Sequence, residues 1–133
     1  MLEDFLKSND FSAEFTSRAQ KDSLAKCNLF FSGNEAIVSI THFRETPSIE
    51  KLEAVSGLTN LKKADSDKTE QITGYDSDSL PPISIYGVIV IIDKKLMDKE
   101  FLFFEIAEGK FLKIKPSKLI ELNEDSEIEE ISV

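Results

Sequence analysis

The most apolar stretch of the sequence is the run 88–92, Val-Ile-Val-Ile-Ile, in which every residue is β-branched. Such side chains are restricted at χ1 and suit the pleated surface of a strand. Because no polar residue alternates with them, we expect this strand to be covered on both faces and to lie at the centre of a sheet. Asp93 ends the run.

A short helix and a polar loop are predicted directly before this strand. Asp67 and Glu70 have the spacing of a capping box, and Gly74 can end the helix in the left-handed conformation that other residues resist. The loop 75–82 therefore connects a terminated helix to a buried strand. Loops held in this way commonly carry binding residues.

The remaining pattern predicts two hairpins and several shorter elements. The clearer hairpin joins strands 26–31 and 35–41 through Ser32-Gly33-Asn34, residue types that tolerate positive φ. The second hairpin joins 101–107 to 110–115 around Glu108-Gly109. The other predicted elements are helices over 1–9, 47–55 (capped by Thr46 and ended by Gly57) and 116–122, short strands over 58–64 and 128–133, a strand or bend within 10–21, and a polar connection over 94–100. Strands and helices in this order indicate an α+β domain.

Length and composition set the class of protein. The 133 residues fit one domain spanning 1–133, and 41% hydrophobic with 31% charged residues is typical of a soluble globular protein. No apolar run approaches the roughly 20 residues needed to cross a bilayer, so no membrane association is expected. The N-terminus lacks the basic start and apolar core of a signal peptide, which makes the cytoplasm the expected location.

The charge and the rarity of cysteine and histidine exclude further classes. A net charge of −9, from 25 acidic and 16 basic residues, argues against non-specific binding to DNA or other nucleic acids, although a local basic face remains compatible with it. Much of the excess acidity lies in 121–130. One cysteine and one histidine allow no internal disulfide and argue against a structural zinc site, so no metal is expected.

Cys27 and His42 are the residue types of a thiol nucleophile and its base. No local signature accompanies them, and a lone cysteine is usually a small buried hydrophobe. His42 follows a predicted strand, where a surface turn residue is the simpler interpretation.

The segment 67–93 resembles the YbaK/prolyl-tRNA editing-domain family, small deacylases that remove wrong amino acids from tRNA. The matching residues are Thr73-Gly74-Tyr75, Leu80-Pro81-Pro82 and the strand 88–93. The resemblance extends over about residues 20–133, through the order of elements more than through identity. It implies an α+β fold with a mixed, barrel-like sheet and helices packed outside, and it implies no metal or organic cofactor.

The resemblance also implies site residues. Lys26 holds the position of the family's lysine, whose ammonium group lies near the scissile ester and can stabilise charge that develops in the transition state. An ordinary solvated lysine at a strand edge is the alternative interpretation. Tyr75, Asp78 and Pro82 are implied to bind substrate from one wall. The carboxylates of Asp76 and Asp78 could hold the α-amino group of an aminoacyl ester or satisfy turn amides.

Two loops depart from the family pattern. Asp78-Ser79 stands where the family has a Gly-Gly pair, and Phe104, Glu105 and Phe111 stand where it has serine, glycine and an acidic residue. These bulky residues either narrow the pocket for a different substrate or fill it, and core packing explains a phenylalanine-rich hairpin equally well.

Two functions follow from these observations. The first is a stand-alone aminoacyl-tRNA deacylase that hydrolyses the ester of a mischarged tRNA carrying a small amino acid, a second sieve for errors that a synthetase pocket cannot exclude. Its partners would be the 3′ end of the mischarged tRNA and an aminoacyl-tRNA synthetase. The alternative is a catalytically degenerate homologue that binds tRNA or protein. An open cavity containing Lys26 favours the first, and phenylalanine rings filling the cavity favour the second.

Overall fold

A mixed β-sheet curved into a half-barrel organises the chain. The structure, a computed structural model, describes residues 14–83, 88–123 and 125–133, so the predicted helix over 1–9 lies outside the described residues. The strands are β1 Glu14–Thr16, β2 Leu24–Ser32, β3 Glu35–His42, β4 Lys62–Lys63, β5 Val88–Asp93, β6 Leu102–Ala107, β7 Lys110–Ile114 and β8 Glu127–Glu129. Their order is β1-β7-β6-β2-β3-β5-β8, with β4 paired to β2.

Both parallel and antiparallel strand pairs occur in this sheet. The two predicted hairpins are present as the antiparallel pairs β2–β3 and β6–β7, whereas β2–β6, β3–β5 and β5–β8 are parallel. Three α-helices accompany the strands among the described residues: α1 Ile49–Ser56, α2 Ser66–Thr73 and α3 Pro116–Leu122. The predicted α+β fold with a mixed, barrel-like sheet is confirmed.

Strand β2 is paired unevenly on its two edges. One edge pairs with β3 from Ala25 to Ser32. The other edge pairs with β6 only at Leu24 and Ala25, and with β4 only at Phe30 and Phe31. Residues 26–28 therefore face a gap between β6 and β4, and this gap is where the candidate site lies.

The two faces of the sheet bury separate hydrophobic clusters. The larger cluster includes Leu29, Ile40 and Phe104, and it takes in Leu119 and Leu122 of α3. The smaller cluster on the opposite face includes Phe30, Ile37 and Ile91, against which Leu52 packs α1. Residues 36–41 of β3 are all buried because this strand carries a cluster on each side.

The central position predicted for β5 is wrong. β5 is the second strand from the end of the sheet, and β2 and β3 hold its centre. Val90, Ile91 and Ile92 are buried as expected, but Ile89 is 45% exposed. An apolar run indicates burial, yet it does not show how many strands lie beyond it.

The predicted C-terminal ends of α1 and α2 are confirmed, whereas their predicted N-cap residues are wrong. Gly57 and Gly74 end α1 and α2 with φ of 77° and 79°, as predicted. The N-cap of α2 is Asp65, whose carboxylate accepts from the Lys68 N–H, and not Asp67. The N-cap of α1 is Ser48, and not Thr46, because Pro47 forms a β-bridge with Ser132 and delays the start of the helix.

The C-terminal segment is fastened to β5 and α1. The Ser132 hydroxyl donates to the buried Asp93 carboxylate, which also accepts from the Lys95 N–H at 3.1 Å. Lys51 Nζ donates to the Ser132 carbonyl at 2.8 Å. Asn123 Nδ2 donates to the Pro82 carbonyl at 2.9 Å and so fixes the end of the 75–82 loop against α3.

Candidate functional site

A cavity of about 330 Å³ opens at the gap beside β2. Residues 24–28 of β2 line this cavity together with Ser77, Asp78 and Leu80 of the loop. Lys63 of β4 and Phe104 of β6 lie at its two ends, where those strands meet β2. Among the described residues no strand occupies the gap between β6 and β4, and this gap leaves space for a ligand.

Lys26 and Asp78, two of the four site residues predicted from the sequence, line this cavity together. Both residues are exposed, and neither the Lys26 ammonium nor the Asp78 carboxylate has a hydrogen bond or ion pair within the described residues. The neighbouring Asp76 is occupied, since its carboxylate accepts from the Asp78 N–H at 3.3 Å and caps the 3-10 turn Ser77–Ser79. Because Lys63 and Glu105 also line the cavity, the arrangement presents two cations and two anions to a ligand.

Tyr75 and Pro82 do not line the cavity. The Tyr75 ring is half-buried against the larger core cluster, and its N–H donates to Thr73 Oγ1 at 3.0 Å. Pro82 is buried, and its carbonyl accepts from Asn123. Both residues therefore hold the loop in place through contacts outside the cavity. Their direct contact with a substrate stays a prediction.

Phe104 narrows the cavity without filling it. Its side chain is 2% exposed and forms part of both the cavity wall and the larger core cluster. Phe111 lies farther along the hairpin, paired with Thr16 and Glu105, and does not line the cavity. Of the two alternatives for these phenylalanines, the structure therefore agrees with a restricted but open pocket.

The cavity contains three further polar residues that were not predicted as site residues: Asn28, Lys63 and Glu105. Lys63 extends into the cavity lining from β4 and has no ion pair within the described residues. The sequence did not indicate this position because it depends on the pairing of β4 with β2. Asn28 lies two residues after Lys26 on β2, and its Nδ2 is buried without a hydrogen-bond partner in the described part of the chain. The period-two spacing from Lys26 was the available signal for Asn28.

The backbone of β2 also offers hydrogen-bonding groups to the gap. The Phe43 N–H donates to the Leu24 carbonyl at 2.9 Å, which places the polar groups of Leu24 on the β3 side. Because these groups alternate along an antiparallel strand, the N–H and C=O of Cys27 point to the other side. The Leu29 carbonyl confirms this alternation, since it accepts from the Ala64 N–H at 2.9 Å across the β4 edge. The Cys27 amide therefore faces the cavity.

The Cys27 thiol is unsuited to nucleophilic attack. Burial raises the pKa of the Cys27 thiol far above its ordinary value, because desolvation disfavours the thiolate. His42 is held in a turn, with Nε2 3.0 Å from the Lys21 carbonyl and Nδ1 accepting from the Arg44 N–H at 3.1 Å. Across 14–83, 88–123 and 125–133, no group of three or more histidine, cysteine, aspartate or glutamate residues is arranged to hold a metal ion.

Comparison with known proteins gives one family and several similar folds. The model of the aminoacyl-tRNA editing domain matches residues 12–122. The sequence matches no curated protein significantly. A solved structure of a hypothetical protein has 13% identity and a TM-score of 0.85, with 99% of each chain covered. A candidate trans-editing enzyme for prolyl-tRNA synthetase has 14% identity and a TM-score of 0.83, with 99% of this chain and 94% of that chain covered.

A third similar structure shows this fold within a longer chain. It is a candidate signal transduction protein from Marinobacter aquaeolei, with 17% identity and a TM-score of 0.79, and the match covers 99% of this chain but 30% of that one. At these identities the three structures establish the fold alone. Among the helices of the described residues, none is long and apolar enough to span a membrane.

Proposed function

Because the chain belongs to the aminoacyl-tRNA editing-domain family, we propose that it hydrolyses the ester of a mischarged tRNA that carries a small amino acid. The observation that carries this proposal is the open cavity in which Lys26 and Asp78 are exposed together without partners among the described residues. Three groups around this cavity match three parts of an aminoacyl ester: its carbonyl oxygen, its α-ammonium group and its side chain.

The carbonyl oxygen gains negative charge when water attacks the ester carbon. The Lys26 ammonium group and the Cys27 N–H are positive donors on the same wall, and donors fixed before the reaction stabilise such charge without reorganisation. The bond between the carbonyl carbon and the ribose oxygen then breaks, and the ribose oxygen receives one proton of the attacking water. The amino acid leaves as its carboxylate, and the second proton of the water passes to the solvent. Only residues of this chain and water take part.

The α-ammonium group and the side chain of the substrate have separate sites. Asp78 offers its free carboxylate to the α-ammonium group from the loop. Leu24, Ala25 and the buried Phe104 supply an apolar surface for the side chain. The Phe104 ring restricts the space, and this restriction supports a small amino acid as substrate.

Two lysines at the cavity support the approach of the tRNA end in a chain of net charge −9, beside the carboxylates of Asp78 and Glu105 in the same lining. Lys26 and Lys63 lie at the cavity and pair with no carboxylate in the described residues, whereas Lys51, Lys113 and Lys118 pair with Glu130, Glu14 and Glu121 elsewhere. Unpaired lysines at the site would contact phosphates of the terminal nucleotides. An aminoacyl-tRNA synthetase that releases the mischarged tRNA is the proposed second partner, in the cytoplasm.

The test is deacylation of a panel of mischarged tRNAs by the parent protein, Lys26→Ala and Lys94→Ala. Lys94 is an exposed lysine outside the cavity and serves as the matched control. We expect Lys26→Ala to lose on the order of 100-fold or more in rate, the scale of one preorganised transition-state contact, while Lys94→Ala keeps the parent rate. Lys26→Arg should also fail, because the planar guanidinium group does not present the same compact charge.

Two results would overturn the proposal. Unchanged hydrolysis by Lys26→Ala would exclude the role of this ammonium group. No hydrolysis of any mischarged tRNA by the parent would favour the alternative, a degenerate homologue that binds tRNA or protein, for which the replacement of the family's Gly-Gly pair by Asp78-Ser79 is the supporting observation.

A further inference from the structure

Glu105 of β6 lines the cavity beside β2, yet the hydrolysis proposed for this cavity leaves its carboxylate unused. The Glu105 side chain is exposed, and its carboxylate forms no hydrogen bond or ion pair within the described residues. A carboxylate that no protein donor occupies can accept a proton from water, which is the property required of a general base.

The strand register brings Glu105 close to Lys26. β2 and β6 run parallel, and their ladder ends at the pair Ala25 and Phe104. Lys26 and Glu105 each follow this pair by one residue, so both side chains project from the face of the sheet opposite to Ala25 and Phe104. No ion pair joins the two charged groups, and the space between them remains available to an ester and its attacking water.

A β-bulge directly follows Glu105. The register of β6 with β7 shifts between Glu105 and Ala107, just beyond the point where β6 stops pairing with β2. Bulges bend a strand and change the direction of its side chains, and they are frequent next to active sites. This local geometry distinguishes Glu105 from Glu108, an exposed glutamate in the turn of the same hairpin that does not line the cavity.

Asp78 is the other carboxylate of the lining, and its position suits a different role. Asp78 belongs to the 3-10 turn Ser77–Ser79, whereas Glu105 lies on the strand that pairs with β2 and its proposed donors, Lys26 and the Cys27 N–H. A base must lie close to the carbonyl carbon, because its water attacks that carbon while the oxygen of the same carbonyl takes up charge. Glu105 meets this condition, and Asp78 remains available to the α-ammonium group.

We propose that Glu105 is the general base of this site, a catalytic residue that activates the water attacking the aminoacyl ester. This inference rests on the proposed function. The Glu105 carboxylate accepts one proton from the water while the water oxygen bonds to the carbonyl carbon. The bond between that carbon and the ribose oxygen then breaks, and Glu105 passes its proton to the ribose oxygen. The amino acid leaves as its carboxylate, and the second proton of the water passes to the solvent.

The first experiment measures deacylation of mischarged tRNA by Glu105→Gln, Glu105→Asp and the matched control Glu108→Gln. We expect Glu105→Gln to lose about 100-fold or more in kcat, the scale of general-base catalysis. Glu105→Asp keeps a carboxylate on a shorter side chain and should lose less. Glu108→Gln should keep the parent rate, and all four proteins should share one melting temperature because both glutamates are exposed.

Two further measurements separate a base from a residue that only supports the structure. The kcat of the parent should fall in acid as the base takes up a proton, and Glu105→Gln should lose this acidic limb while Lys26, Lys63 and Asp78 still titrate in both proteins. Formate should restore part of the rate of Glu105→Ala, because it supplies a small carboxylate in the space that the side chain leaves.

The inference would be overturned by a parent-like rate of Glu105→Gln. It would equally be overturned by a loss of rate that leaves the acidic limb in place and that formate does not restore, since this result assigns Glu105 a structural role.

The p-nitrophenyl ester of alanine distinguishes the failure of this inference from the failure of the proposed function, because it contains the aminoacyl ester without any RNA. Hydrolysis of this ester that depends on Glu105, by a protein inert toward every mischarged tRNA, would support the base and reject the proposed function. Parent-like deacylation of mischarged tRNA by Glu105→Gln would support the function and reject the base. A parent that hydrolyses neither substrate would reject both.

Discussion

The two sides of the central β2–β3 pair are built differently. Beyond β3, β5 pairs in parallel over Ala36–Ile40, and β8 then covers the far edge of β5. Beyond β2, β6 and β4 each pair over only two residues and leave 26–28 open. We refer to the β3-β5-β8 part as the closed side and to the gap beside β2 as the open side. A paired edge satisfies backbone groups within the sheet, whereas an open edge offers them to a ligand.

Polar side chains differ between the two sides in the same way. On the closed side, the buried Asp93 carboxylate accepts from Ser132 and from the Lys95 N–H. On the open side, Asp78 is exposed, and its carboxylate has no partner within the described residues. The same functional group therefore stabilises the fold in one place and remains free for binding in the other.

The largest expected effect is on the closed side, from Val90→Asp. Val90 is 2% exposed, and a carboxylate there would lose its hydration without gaining a partner, so we expect loss of the cooperative folded state. Ile89→Asp, the neighbouring position at 45% exposure, is the matched control and should keep a cooperative transition. Circular dichroism during heating distinguishes the two. A parent-like melt of Val90→Asp would show that this strand does not support the core.

A smaller effect is expected for Asp93→Asn, also on the closed side. The neutral amide keeps the shape but weakens the hydrogen bonds from Ser132 and Lys95, and bonds to a charged group contribute about 1.5–3 kcal/mol. We expect a loss of about 2 kcal/mol in the free energy of unfolding, measured by urea denaturation. Ser132→Ala combined with Asp93→Asn should be less than additive, since the two residues share a bond. Full additivity would contradict the coupling.

The same substitution on the open side should have the smallest effect on stability. Asp78→Asn changes an exposed carboxylate without partners among the described residues, so the free energy of unfolding should shift by less than about 0.5 kcal/mol. If Asp78 binds the α-ammonium group, KM for mischarged tRNA should rise by about tenfold or more, the scale of one charged hydrogen bond. Unchanged deacylation kinetics would show that Asp78 does not bind the substrate. Asp93 and Asp78 would then differ only in their contribution to stability.

Local signals in the sequence were sufficient to predict where several elements end or turn. Glycines that must adopt positive φ fixed the ends of α1 and α2 and the turn of the first hairpin, because this requirement depends on a few neighbouring residues. The N-caps were less certain because several polar residues compete at each helix start. Asp65 is the N-cap of α2, directly after Ala64, whose N–H still bonds to the Leu29 carbonyl of β2.

The candidate site depended on tertiary structure to a greater degree. The sequence and the family resemblance pointed to Lys26 and Asp78, but only the gap between β6 and β4 brings these residues to one cavity. Lys63 carried no recognisable signal, since the exposure of a side chain and its lack of an ion pair among the described residues are properties of the folded chain. Whether Phe104 fills or borders the pocket was likewise decided by packing, because side-chain volume alone does not specify the direction in which a ring points.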